Sequence, residues 1–169
     1  MAANVTEALA SFSAYAEPRD GLGDNPFQLG CSLTLAATDE EIRSAWPEAP
    51  LPAELVEAWS VSRESRLFED VDYGQWGLVL LSPAASAERT AQLRAQRPGA
   101  YRPDDVVIGV FLGDLELLVM APSEAGDRRI LVALPLDDRR DWYPAASSLA
   151  QFLEKYRGSY GGKYWESPA

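Results

Sequence analysis

The sequence predicts an α+β domain with N-terminal helices, a central, largely antiparallel sheet of about five or six strands, and a C-terminal helix packed on it. Three observations carry this. Up to Trp59, apolar residues recur at helical spacing behind capping residues. Beyond it they alternate or gather in short runs bounded by Gly, Pro and Asp, and from Ser148 the helical spacing returns. Helices, then strands, then a helix is the order of an α+β domain. With 169 residues, 47% of them hydrophobic, the chain can build one core of ordinary size.

Asn4 with Glu7 predicts the first N-cap, ahead of a stripe of Val5, Leu9, Phe12 and Ala16. The turn formers of "EPRDGLGDNP" end that helix. Thr38 with Glu41 opens a second helix carrying Ile42 and Trp46, which Pro47 and Pro50 break. Pro52 starts a third, with Leu51, Leu55, Val56 and Trp59 on one face. Strands are expected at "SRLFED", at Gly77–Ser82, at Val106–Leu112 and Asp114–Met120 as a hairpin turning at Gly113, and at Arg129–Leu136. In the hairpin, Val106, Ile108 and Val110 are expected on one face and Val107 and Phe111 on the other, with a wet side near the turn. Pro83–Arg97 reads as a helix with Arg89, Arg94 and Arg97 on a basic side. The last helix has Ser148 and Gln151 as its capping box, Leu149, Phe152, Leu153 and Tyr156 as its apolar face, and Gly158 as its stop.

Composition excludes several functions. The net charge of -11 argues against binding nucleic acid or an anionic membrane surface. The excess is concentrated in residues 1–59, which hold ten acids against two arginines. No histidine is present, which removes Ser-His-Asp and Cys-His catalysis and nearly all catalytic zinc sites. Carboxylate-only chemistry, as in a glycosidase, is what remains to an enzyme. The lone Cys31 excludes an intramolecular disulfide and favours a reducing compartment. The apolar run from Val106 to Met120 is too short and too charged to span a bilayer, and "MAANVTEALASF" has no signal-peptide pattern, so a cytoplasmic protein is expected.

In order along the chain, "LPAELVEAW", "DYGQWGLVLLSP", "VVIGVFLGDLELLVM", "ILVALPLDD", "DWYPAASSLAQFLEKY" and "GGKYWE" resemble the SUKH superfamily, the domain of bacterial immunity proteins, of Syd and of a fungal cell-wall regulator. The resemblance runs from Ala37 to Trp165. It divides the chain into an extension of helix and loop over residues 1–36 and a SUKH-like domain over 37–169. Where such domains often carry an Asn-Gly turn after the "LP" helix, "SVSRESRLFED" stands here. The resemblance implies a non-enzymatic, protein-binding domain without a cofactor. Such a protein would neutralise a toxin, often a basic nuclease, whose phosphate groove a cluster of carboxylates can fill. A regulatory or scaffold domain binding a host protein or a small ligand is the alternative.

The candidate partner-binding residues are Asp70, Asp72, Asp114, Glu116, Asp137 and Asp138, with Trp76, Trp142 and Tyr143 as aromatic anchors. Solvated turns are the competing reading for the carboxylates, and core packing for the aromatics. A magnesium or nuclease site would also use paired carboxylates. Glu116, however, precedes Leu117 and Leu118, where a nuclease pattern requires a lysine. "GSYGGKYW" lacks the Ser or Thr of a phosphate loop and follows a helix, so Tyr160, Tyr164 and Trp165 are expected to pack back on the domain.

Overall fold

The computed structural model describes residues 4–47, 51–124 and 127–166. Helix α1 (Val5–Ala10) continues as a 3-10 turn to Tyr15, then comes β1 (Leu29–Leu33), followed by α2 (Asp39–Ala45) and α3 (Ala53–Val61). Strands β2 (Ser65–Asp70) and β3 (Leu78–Leu80) precede α4 (Pro83–Gln96). Strands β4 (Val106–Phe111), β5 (Leu117–Glu124), β6 (Asp127–Ala133) and β7 (Tyr143–Ala146) then lead to α5 (Leu149–Gly158). All seven strands form one antiparallel sheet in sequence order. The α+β class stands, and the strand count exceeds the expected five or six because the two edge strands, β1 and β7, carry weak strand signals.

Local chemistry sets the helix starts. Asn4 accepts from the Glu7 N–H, Thr38 from Glu41, Ser82 from Ala85 and Ser148 from Gln151. The Gln151 carboxamide closes its box on Ser147, one residue earlier than expected. The α5 N-terminus has a further cap from a distance: buried Glu54 of α3 accepts from the N–H groups of Leu149 at 3.0 Å and Ala150 at 3.2 Å. This satisfies two of the donors a helix start leaves free and sets a carboxylate at the positive end of the helix dipole. Pro50, expected to help end α2, lies outside the described residues.

The central strands are apolar on both faces. On one face Val106, Ile108, Leu118, Met120, Ile130 and Val132 join the main core with α1, α3 and α5. On the other, Val107, Leu117, Val119, Leu131 and Ala133 form a smaller core with Tyr101, Trp142 and Leu93 of α4. Val110 packs with the second core and Phe111 with the first, the reverse of the alternation expected. The cause is a bulge in β4 between Val107 and Gly109, which shifts the period by one residue. Helix α4 serves the interrupted ladder: Ser86 Oγ donates to the Val107 carbonyl at 2.6 Å, and the Val107 N–H donates to Thr90 Oγ1 at 2.9 Å.

The N-terminal segment belongs to the same body. Val5, Leu9 and Phe12 are buried in the main core, and β1 is a full member of the sheet. Tyr164 and Trp165 pack back as expected: Trp165 is buried and the Tyr164 hydroxyl donates to the Ala145 carbonyl at 2.7 Å. No described helix is long and apolar enough to cross a membrane.

Candidate functional site

Because the sheet is a meander, alternate connections emerge at the same end. Leu78 lies opposite Phe111, Val110 opposite Leu117, and Leu117 opposite Ala133. The β2–β3, β4–β5 and β6–β7 connections therefore share one end of the sheet, and these connections and the strand ends beside them carry every candidate residue read from the sequence.

Two of these connections and the segment after α5 are locked together. Asp70 is 1% exposed, and its carboxylate accepts from the N–H groups of Asp72, Tyr73 and Gln75, each at 3.1 Å. Asp70 is thus a brace inside the turn and has no surface to offer a partner, which corrects its place among the binding candidates. The Leu112 N–H donates to the Gly77 carbonyl at 2.8 Å. At Gly113 φ is +99°, and a Cβ would lie 2.5 Å from the Gln75 carbonyl oxygen, so only glycine lets the two loops approach this closely. Trp76 is half-buried and donates through its indole to the Gly161 carbonyl at 3.1 Å.

The acidic side of the hairpin is less wet than expected. Lys163 reaches across from the C-terminal segment to pair with Asp114 and, at 3.1 Å, with Glu116, while its ammonium lies 5.6 Å from the centre of the Trp76 ring. Glu116 is mostly covered. Burial pushes its carboxyl above the usual range, with Glu166 adding to the rise, and burial pulls the Lys163 ammonium down, with Glu166 opposing. Asp114 keeps an exposed edge, and Asp72 is exposed outright.

What the sequence reading missed at this end is apolar. Among the described residues, four of six exposed large hydrophobic side chains sit on these three connections: Val71 at 45%, Tyr73 at 73%, Leu115 at 66% and Leu136 at 95%. Leu115 also has φ of +64°, a conformation rarely taken by a branched side chain. The available signal was an apolar residue inside each turn-forming stretch, "DYG" and "GDL", where a polar one suits solvent better.

The remaining candidates divide. Trp142 is buried in the second core, its ring 5.0 Å from Tyr101 and its indole donating to the Asp137 carbonyl at 3.3 Å, so it is no exposed anchor. Tyr143 is half-buried in β7 and packs against the main core. Asp137 and Asp138 are exposed. Among the described residues no group of three or more Cys, Asp or Glu side chains is placed to hold a metal ion. What the surface offers is exposed carboxylates beside large apolar side chains on braced loops, an arrangement suited to receiving cationic and apolar groups of another macromolecule. No protein-family model matches the chain, and no curated protein matches it.

Proposed function

We propose that this protein is a SUKH-like binding domain that acts in the cytosol as an immunity protein, holding a basic toxin domain against the loop end of its sheet. The observation that supports this best is the exposure of Val71, Tyr73, Leu115 and Leu136, with Asp72 and Asp114, on the three connections at one end of the sheet. Large apolar groups held in water mark surfaces that become covered. Loops already fixed by hydrogen bonds lose little entropy on docking. The net charge of -11 adds long-range attraction for a basic partner and repels acidic ones. The resemblance to SUKH proteins directs the reading toward toxins.

The test is co-expression with the toxin domain of a large secreted protein encoded beside this chain, scored by growth and by binding of the purified pair. Rescue is expected with the natural chain and is lost in Tyr73→Ala/Leu115→Ser, whose melting temperature stays unchanged. Binding is expected to weaken as salt rises. If no neighbouring toxin is bound, or the double variant protects as well as the natural chain, this reading fails and the regulatory alternative takes its place.

A further inference from the structure

A concave surface lies on the side of the smaller core, where the turn after α4 faces the β6–β7 connection. A cleft of about 540 Å³ opens there, lined by Arg97, Gly99, Ala100, Asp138, Arg139 and Arg140. Three arginines line it with Asp138, and Asp105 beneath pairs with one of them, which still leaves a positive balance, the reverse of the chain's overall charge.

The way these guanidiniums are held distinguishes the cleft from a solvated basic helix face. Arg97 donates to the main-chain carbonyls of Leu134, at 3.1 Å, and Asp137. Carbonyls orient a guanidinium while leaving its positive charge uncancelled. Arg139 donates to the Ala100 carbonyl at 2.8 Å, is gripped by both oxygens of the fully buried Asp105, and lies over the Trp142 ring. It forms a rigid floor. Arg140 is 83% exposed and its contact with Asp138 is long, at 3.6 Å, so its fork is available to an incoming oxyanion at small cost.

We propose that this cleft binds a small ligand carrying a phosphate group, gripped between Arg97 and Arg140 above the Arg139 floor. Planar guanidinium forks match phosphate oxygens two at a time, and the volume suits a metabolite-sized molecule. Nucleic acid and anionic membranes are disfavoured, since the rest of the chain repels an extended polyanion. The cleft shares Asp138 and the β6–β7 connection with the loop end described above, but its three arginines take no part in the docking proposal, and phosphate binding stands or falls without it.

The test is titration of the nitrogen-15-labelled full chain with inorganic phosphate and with pyrophosphate, against chloride at constant ionic strength, followed by NMR. Saturable shifts are expected at Arg97, Gly99, Ala100, Arg140 and the Trp142 indole. Arg140→Gln is expected to bind about tenfold more weakly, as loss of one charge-assisted contact implies. Arg43→Gln, an exposed arginine on α2, is expected to bind as the natural chain does. No saturable shift with either anion, an Arg140→Gln titration matching the natural chain, or equal weakening in both variants overturns the proposal.

Discussion

Asp70 and Asp72 stand two positions apart, yet one carboxylate accepts three N–H groups inside a turn and the other points to water. Removing the first takes the acceptor from three N–H groups that fix the turn, and removing the second takes away a solvated charge. Asp70→Ala is therefore expected to cost roughly 1–3 kcal/mol or more in urea unfolding, while Asp72→Ala stays within about 0.5 kcal/mol. Equal midpoints would show that the β2–β3 turn is held by something other than the Asp70 brace. The sequence could not separate the two, because burial depends on where Gln75 and Gly113 are brought by the fold. Cys31 offers a second check. It is buried, its sulfur accepts from the Phe68 N–H at 3.2 Å, and burial pushes its pKa from 9.0 to about 11. Below pH 9 the thiol is neutral in both states; between 9 and 11 the unfolded chain ionises first and the folded state is disfavoured. Stability should fall with rising pH by roughly 1 kcal/mol per pH unit in that window. Burial also raises Tyr101, to about 12 from an ordinary 10, and raises Tyr156 and Tyr164 as well, so these tyrosines add to the fall as the unfolded chain ionises. Cys31→Ala should make the slope between pH 9 and 10 shallower, and a slope that persists unchanged would assign it wholly to the buried tyrosines.

At the scale of elements, the parts governed by local chemistry were legible in sequence and the parts governed by neighbours were not. Caps at Asn4, Thr38 and Ser148 act within one helical turn, so their helices start where expected. Strand β1 contains Gly30 and Cys31, and β7 contains Pro144; each carries weak intrinsic strand preference and is held by the ladder beside it. The bulge in β4 was equally hidden, and the side chains that partner the Val107 backbone beside it sit on α4. Ser86 and Thr90 occupy positions that read as polar helix surface, yet both are buried against Val107. Each of Ser86→Ala and Thr90→Val should cost roughly 1–3 kcal/mol, because each strands one backbone group of Val107. A double-mutant cycle should show coupling, since the two side chains serve the same residue. Two neutral single variants would mean that the bulge closes without α4. The candidate site follows the same rule: the turns and acids were readable, whereas the exposure of Tyr73 and Leu115 and the reach of Lys163 to Glu116 depend on three distant segments meeting.

On the scale of the molecule, the division into residues 1–36 and 37–169 that the resemblance implies runs through a continuous core. Val5, Leu9 and Phe12 pack in the same core as Phe68 and Tyr156, with the Phe12 and Phe68 rings 5.8 Å apart. Strand β1 covers one side of β2, its Leu29 facing Asp70, so the extension supports the strand that leads into the braced loop. A chain of residues 37–169 would expose the edge of β2 and leave the Leu67 and Phe68 side of the core uncovered. Burial of large apolar side chains contributes about 1.5–3 kcal/mol each, and a typical domain has only about 5–15 kcal/mol of net stability. Loss of the four buried residues of α1 and its 3-10 extension, Val5, Ala8, Leu9 and Phe12, together with Leu29 and Cys31, is therefore expected to abolish cooperative unfolding. The truncated chain should bind a hydrophobic dye, lose its near-ultraviolet circular dichroism and keep part of its helical signal. A sharp melting transition near that of the full chain would instead show that residues 37–169 form an autonomous domain and that α1 and β1 are accessory to it. The experiment also bears on binding, because the Asp70 brace and the exposed Tyr73 sit at the end of the strand that β1 holds in place.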